Sequence, residues 1–127
     1  MMSGTIKPKD YSLFGEYIKA QREALGKSIR GLATEIDITP AYLSDIEKGN
    51  RYAPENYLDK MIEALKIPND HVYDFYDLAG KSRKDVFPDI TPYIGEKPLA
   101  RLALRRARDL KIPDSKWQEF IDEMNKE

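Results

Sequence analysis

Apolar residues recur at helical spacing through residues 1–80 and predict five helices. Phe14, Ile18 and Leu25 share one face of a first helix near 12–25, and Gly26 follows as a natural stop. The same spacing predicts four further helices at about 28–37, 39–49, 54–67 and 72–80. No segment alternates with the period of two that is typical of a half-buried strand, so the chain is expected to be all-α.

Residues suited to helix ends bound the second and third helices. Ser28 and Thr39 have hydroxyls that can cap a helix start, and Pro40 follows Thr39 at a position where a missing N–H is harmless. Gly49 and Asn50 tolerate the left-handed backbone that often ends a helix. Both helices are therefore short, and only a tight turn separates them.

The pattern changes after residue 80. Residues 81–97 contain two prolines and a glycine and show no sustained hydrophobic periodicity. This predicts a packed connector rather than a flexible linker. A sixth helix is predicted from Pro98 to about residue 110, and Asp114 or Ser115 is expected to cap a seventh. The seventh helix carries an apolar stripe at i, i+3, i+4 and i+7, formed by Trp117, Phe120, Ile121 and Met124.

Composition narrows the class of protein. A chain of 127 residues with 41% hydrophobic composition fits one domain of ordinary size with a small appendage. The sequence has no cysteine, which excludes disulfides and thiolate metal sites and fits a reducing compartment. No apolar run approaches the roughly 20 residues that a membrane span needs. The protein is therefore expected to be soluble, unsecreted and cytoplasmic.

Charge is distributed unevenly along a chain whose formal net charge is −1. Residues 1–80, the predicted N-terminal domain, hold 10 Lys and Arg against 13 Asp and Glu. Residues 81–127, the predicted connector and C-terminal helix pair, hold 11 against 9. An acidic N-terminal domain must obtain any affinity for nucleic acid from a local basic patch.

The sequence offers little for catalysis. It contains one histidine, His71, which lies beside Asn69 and Asp70 and is expected at a helix start or on the surface. No phosphate-binding loop, pair of catalytic carboxylates or cluster of metal ligands is visible. We therefore expect no enzymatic activity, no cofactor and no bound metal.

The second and third helices have the spacing of a helix-turn-helix. Two short helices joined by a tight turn, the second with small or polar residues outward, meet the mechanical requirement for placing a helix in the major groove of DNA. The apolar positions alone would also fit any helical hairpin in a bundle. Residues 28–49, SIRGLATEIDITPAYLSDIEKG, resemble the phage-repressor-like, Xre-type helix-turn-helix family, and the resemblance extends from about Phe14 through Ile67.

The resemblance implies a five-helix, repressor-like helix-turn-helix domain, followed here by a two-helix C-terminal extension. Asp37 stands in the turn where the family usually has glycine, and an aspartate can adopt the left-handed conformation at some cost. Ile29 stands where the family often has a phosphate-binding glutamine, and it cannot donate a hydrogen bond. The family's buried positions are occupied by Leu32, Ala33, Ile38, Leu43 and Ile46.

The resemblance also implies a set of DNA contacts on the second and third helices and the following loop. Ala41 could touch a thymine methyl, Ser44 could donate or accept, and Tyr42 could reach a base or a phosphate. Asp45 either accepts from a cytosine amino group or is a solvated or ion-paired position. The full set is Ser28, Arg30, Thr39, Pro40, Ala41, Tyr42, Ser44, Asp45, Lys48, Asn50 and Arg51.

Four charged residues lie at the C-terminal end of the third helix or are expected near it, and this helix would be the recognition helix. Lys48 and Arg51 are expected along the phosphate backbone, where they would supply the local basic patch. Arg22 and Glu47 correspond to a family pair that ties the first helix to the end of the recognition helix. Such a pair orients the helix more than it stabilises the fold, because desolvation offsets much of the Coulomb gain. Two unrelated surface charges are the alternative.

The two C-terminal helices have opposite charge. Residues 81–111 hold 9 basic against 4 acidic side chains, whereas the seventh helix is mainly acidic. The first interpretation is oligomerisation through the apolar stripe, with the charges pairing within a chain or across a dimer. The alternatives are a second DNA-contacting surface, formed by the arginines of the sixth helix, and ordinary packing on the N-terminal domain.

Two functions from different classes are compatible with these features. The first is a homodimeric regulator of transcription, expected to be a repressor, that binds a near-palindromic operator in double-stranded DNA. The second is an antitoxin-like or anti-activator module, in which residues 81–127 grip a protein partner and DNA binding is secondary. Neither function involves a membrane.

Overall fold

The structure is a computed structural model that describes residues 6–84 and 87–126. Within these ranges the chain is helical and contains no β-strand. The predicted all-α class, with five helices in a helix-turn-helix domain and further helices after it, is confirmed. The α-helices are α1 (Phe14–Ala24), α2 (Ile29–Ile36), α3 (Pro40–Lys48), α4 (Glu55–Ala64), α5 (Val72–Ser82), α6 (Thr91–Glu96), α7 (Pro98–Asp109) and α8 (Asp114–Asn125), and 3-10 turns occupy Pro8–Asp10 and Asn69–His71.

The chain forms two compact units, Met1–Asp89 and Ile90–Glu127. The division lies inside the segment 81–97 that the sequence predicts to be a connector. The first unit contains α1 to α5, and the second contains α6 to α8. No helix in the part of the chain that the structure describes is long and apolar enough to cross a membrane.

The core of the first unit is built from the inward faces of all five helices. Phe75 of α5 lies at its centre, 5.4 Å from Phe14 and 6.3 Å from Tyr17 of α1 between ring centroids. The positions that the family buries are also buried here, except Ile38, which is half-buried at the edge of the core. The remaining buried apolar residues include Ile18, Leu32, Ala33, Ile36, Leu43, Ile46, Leu58, Met61 and Leu65.

Local sequence accounts for the ends of α2 and α3. Ser28 Oγ accepts from the backbone N–H of Gly31 at 2.9 Å, and Thr39 Oγ1 accepts from that of Tyr42 at 3.1 Å, so both predicted N-caps are confirmed. Asp37 adopts the left-handed conformation, with φ 64° and ψ 43°, and closes α2 in place of the expected glycine. These caps place α3 immediately after α2, with only residues 37–39 between them.

The second unit departs from the predicted helix boundaries in two places. Helix α6 forms within the segment that the sequence predicts to be a connector. Pro92 lies in its first turn, where no N–H partner is needed. Near its end, Arg101 Nη1 donates to the carbonyls of Ile94 and Gly95 at 3.0 and 2.7 Å. The predicted side-chain cap of α8 is wrong. Pro113 is the N-cap and no side chain bonds there, because Asp114 is already the first helical residue.

Candidate nucleic-acid interface

Helix α3 has one buried face and one open face. Leu43 and Ile46 point into the core and are almost completely buried. The opposite face carries the residues expected to contact bases. Thr39, Pro40 and Ala41 are exposed, and Tyr42, Ser44 and Asp45 are half-buried. The helix therefore presents small and polar groups outward on a rigid base, as a helix that enters the major groove must.

An ion pair fixes the C-terminal end of α3 against α1. Arg22 Nε donates to Glu47 Oε2 at 2.8 Å and Arg22 Nη2 donates to Glu47 Oε1 at 3.1 Å, which is a two-point contact. Arg22 Nη1 also donates to the carbonyl of Lys27 at 2.8 Å. The side chains of Arg22 and Glu47 are 9% and 5% exposed, and the hydrogen bond to Glu47 raises the pKa of Arg22 above its ordinary value. The two-point contact restricts rotation of α3 against α1.

A glycine allows α1 and α3 to approach closely at the same place. A β carbon on Gly15 would overlap the carbonyl oxygens of Ile46 and Glu47. Any larger residue would push the end of α3 away from α1 and disturb the ion pair beside it. Sequence reasoning missed this role, although a glycine in the first turn of a strongly patterned helix is a signal of close packing.

The loop after α3 turns sharply and leaves its polar residues open. Gly49 ends α3 with φ 82°, and the backbone N–H of Asn50 donates to the carbonyl of Asp45 at 2.9 Å. Lys48, Asn50 and Arg51 are all exposed. This loop lies directly beside the open face of α3, so the two form one continuous surface.

Arg51 folds back onto the open face of α3. Its guanidinium carbon lies 4.7 Å from the centroid of the Tyr42 ring, and its Nε lies 3.5 Å from Asp45 Oδ2. The sequence assigned these three residues to separate contacts with bases and phosphates. The structure brings them together in a single group, which we call the Arg51 cluster.

Arg83, at the C-terminal end of α5, holds the next part of the loop. Its Nη1 donates to the carbonyl of Ala53 at 3.0 Å, its Nη2 lies 3.8 Å from Glu55 Oε1, and its guanidinium carbon lies 4.5 Å from the Tyr52 ring centroid. Sequence analysis did not single out Arg83. No local pattern could have done so, because Arg83 and Ala53 are 30 residues apart.

The remaining candidates on α2 lie at its N-terminal end. Arg30 is exposed, while the hydroxyl of Ser28 is already used by the helix cap. Ile29 packs against the core, which explains why an apolar residue is tolerated where the family often has glutamine. Among the residues that the structure describes, no group of His, Asp or Glu is arranged to hold a metal ion.

The residues expected to mediate oligomerisation lie in the second unit. The apolar stripe of α8 is exposed: Trp117 by 36%, Phe120 by 56%, Ile121 by 45% and Met124 by 52%. The ring centroids of Trp117 and Phe120 lie 6.5 Å apart. The ion pairs within 90–126 join residues at most three positions apart, such as Lys116 and Glu119. The arginines of α7 and the carboxylates of α8 are therefore not matched to each other in this unit.

Comparison with known proteins agrees with the architecture. A family model described as helix-turn-helix matches residues 18–69, which include α2, α3 and α4. The chain is also 33% identical over 110 residues to the HTH-type transcriptional repressor RghR of Bacillus subtilis (strain 168), a match that covers 83% of this chain and 77% of that protein. No solved structure matches significantly. The chain belongs to the Xre-like helix-turn-helix family of DNA-binding regulators of transcription.

Proposed function

We propose that this protein is a sequence-specific repressor of transcription that binds a near-palindromic operator in double-stranded DNA as a homodimer. The observation that carries the proposal is the open face of α3, which the Arg22–Glu47 ion pair holds rigidly beside the exposed segment 48–51. A fixed recognition helix loses little conformational freedom on binding, so its contacts with bases contribute more fully to affinity.

The open face and the loop would have different tasks on DNA. Ala41, Tyr42 and Ser44 would face base edges in the major groove, where Ala41 can contact a thymine methyl and Ser44 can donate or accept. Lys48 and the backbone N–H groups near Asn50 would contact phosphates, which fix the register without reading sequence. Because residues 1–80 are acidic overall, non-specific affinity should be weak and discrimination between sites correspondingly strong.

Repression is the mode of regulation that the relative supports, because its name describes a transcriptional repressor. A DNA-binding protein can repress by occupying DNA that a promoter requires. The proposal for this chain is therefore steric exclusion at the operator.

Homodimerisation is supported by the uncovered apolar stripe of α8. Four large apolar side chains at helical spacing are costly to leave in water, and burying one such side chain contributes about 1.5–3 kcal/mol. In an antiparallel pairing of two copies, the basic α7 of one chain would meet the acidic α8 of the other. Two recognition helices would then lie about 34 Å apart, one turn of DNA.

A protein-interaction module remains a second candidate function. The acidic first unit and the exposed apolar stripe of the second would also suit a chain whose main partner is another protein. In that case the stripe would bind the partner, and DNA binding would be secondary.

Selection of bound duplexes from a random DNA pool, with the purified full-length chain, tests the proposal. Enrichment of a two-fold symmetric motif is expected. An asymmetric motif would contradict the homodimer, while a pool that stays random after several rounds would contradict sequence-specific binding and favour the protein-interaction module. A Tyr42→Ala/Ser44→Ala variant should lose discrimination at its motif positions and keep its fold, since both side chains are only half-buried and neither belongs to the buried core.

A further inference from the structure

Before its last residue, Lys48, the open face of α3 carries no long hydrogen-bond donor. It carries Pro40, Ala41, Tyr42, Ser44 and Asp45, and none of these can make the two-point donor contact that distinguishes guanine. Such a contact is the commonest specific interaction in the major groove and requires an arginine or a lysine. Since Lys48 is assigned to a phosphate, the helix reads sequence with an incomplete set of groups unless a neighbouring residue supplies the donor.

Arg51 reaches this face from the loop. The Asp45 carboxylate lies 3.5 Å from its Nε, and the Tyr42 ring lies under the guanidinium at 4.7 Å. The contact with Asp45 is through Nε, and no hydrogen bond from Nη1 or Nη2 is present among the described residues. These two terminal nitrogens have the spacing that matches guanine O6 and N7. The Arg51 side chain is still 56% exposed, so these nitrogens are open to a ligand.

We infer that Arg51 reads the O6 and N7 edge of a guanine in the major groove, and that Tyr42 and Asp45 are positioning residues for it. The inference rests on the proposed binding of DNA through α3. It changes the task of Arg51 from a phosphate contact to a base contact, and that of Tyr42 from a base contact to a support. For Asp45 it takes the ion-paired alternative in place of the base contact.

Electrostatics favours this assignment over a direct contact between Asp45 and DNA. An aspartate that enters the groove alone faces the negative potential of the phosphates. Paired with Arg51, the same carboxylate is neutralised and also restricts the guanidinium. Stacking on Tyr42 limits the rotamers of the Arg51 side chain, which would otherwise be flexible, so less conformational entropy is lost when guanine binds.

A contact of Arg51 with phosphate is the competing assignment, and base analogues separate the two. In the operator found by selection, each guanine is replaced in turn by 7-deazaguanine, which keeps its pairing but lacks the N7 acceptor. We expect the wild type to lose affinity about tenfold at one guanine in each half-site. Arg51→Ala should bind the unmodified operator more weakly and show no further loss at that guanine.

Lys48→Ala is the matched control, because it removes one positive charge from the same segment. It should weaken binding to all duplexes alike, lower the slope of log affinity against log salt by about 0.9, and keep the full 7-deazaguanine penalty. If Arg51→Ala behaves in the same way as this control, the inference is overturned. It is also overturned if the wild type tolerates 7-deazaguanine at every position, or if the motif contains no guanine.

The positioning role of Asp45 has its own readout. Asp45→Asn should reduce the 7-deazaguanine penalty while Arg51 remains present, and Asp45→Glu should restore part of it. If Asp45 instead reads cytosine, the preference for a G·C pair at that position will persist in Arg51→Ala and disappear in Asp45→Asn. A selected pool with no motif would contradict the proposed function itself, which distinguishes that failure from failure of the Arg51 assignment.

Discussion

The two units of this chain use similar amphipathic helices but differ in what covers them. In Met1–Asp89, five helices enclose aromatic residues such as Tyr17 and Phe75, which are fully buried. In Ile90–Glu127, Leu102 of α7 is about as exposed as the stripe of α8, and Leu99 is more exposed than any residue of that stripe. Helical patterning therefore predicts where a helix forms, while the number of neighbouring faces decides whether its apolar side is covered. The first unit encloses its own core, whereas the large apolar side chains of α7 and α8 stay exposed.

Removing the second unit should have the largest effect. A chain ending at Asp89 is expected to stay folded, because its core lies within α1 to α5, but to bind the operator at least 100-fold more weakly, since two linked half-site contacts become one. Sedimentation of the full-length and shortened chains should show a dimer and a monomer, and binding isotherms on the whole operator give the affinity.

A substitution within the stripe provides the matched control for this deletion. Trp117→Ser/Phe120→Ser should reproduce the loss of dimer and of affinity with all residues present. If the shortened chain stays dimeric, or if the full-length chain is monomeric at micromolar concentration and still binds tightly, the division of tasks between the two units is wrong.

Breaking the Arg22–Glu47 pair should have the next largest effect, which is a loss of stability of the first unit. Glu47→Gln keeps the shape of the side chain but leaves a buried guanidinium without its counter-charge, which should lower the free energy of unfolding by about 3 kcal/mol. Urea denaturation measures this change. The control is Glu23→Gln, which removes an exposed carboxylate 3.9 Å from the same arginine and should change stability by less than about 0.5 kcal/mol. Equal effects of the two variants would mean that the pair contributes nothing specific.

Gly15→Ala should cost about 2 kcal/mol, because the added methyl overlaps two carbonyl groups of α3 while alanine gains some helix propensity. Gly95→Ala in α6 is the matched control, since a β carbon there meets nothing within 4 Å. That variant should leave the protein as stable as before or slightly more stable. Thermal unfolding of both variants compares a tightly packed glycine of the first unit with an open glycine of the second. If Gly15→Ala is as stable as the wild type, α1 and α3 can separate without a loss of stability.

The local sequence is enough to assign a role to some of the residues behind these predictions but not to others. The caps at Ser28 and Thr39 act on N–H groups three residues away, so the local sequence predicts them. The contact of Gly15 with α3 and the bond from Arg83 to Ala53 join distant segments and depend on how the helices pack.

The same division applies to the candidate site. The resemblance to the family marked Arg22 and Glu47 as partners, and it located the open face of α3. It could not indicate that Arg51 folds onto Tyr42, because the direction of a long side chain on a loop depends on the neighbours that the fold provides. The arrangement of the Arg51 cluster is therefore a property of the packed chain and not of its pattern.

The smallest expected effect concerns a polar atom inside the well-packed first unit. The Tyr17 hydroxyl is buried and finds no hydrogen-bond partner among the described residues, and its burial, with a smaller contribution from Tyr11, raises the pKa of Tyr17 to about 12. Tyr17→Phe removes this unsatisfied group and keeps the ring, so it should raise the free energy of unfolding at pH 7 by about 1 kcal/mol.

The same variant should also change the dependence of stability on pH. A pKa raised from 10.0 to about 12 means that the folded protein keeps the Tyr17 proton longer than the unfolded chain does. The wild type should therefore lose stability as the pH rises from 10 towards 12, and Tyr17→Phe should lose less over that range.

Tyr76→Phe is the matched control, because the pKa of Tyr76 is likewise about 12 but its hydroxyl donates to Asp59 at 2.7 Å. That variant should also flatten the alkaline loss, yet it gives up a hydrogen bond and should not gain stability at pH 7. Urea titrations of the three proteins between pH 7 and 11 separate these effects, and a Tyr17→Phe protein less stable than the wild type at pH 7 would show that the hydroxyl is satisfied in solution.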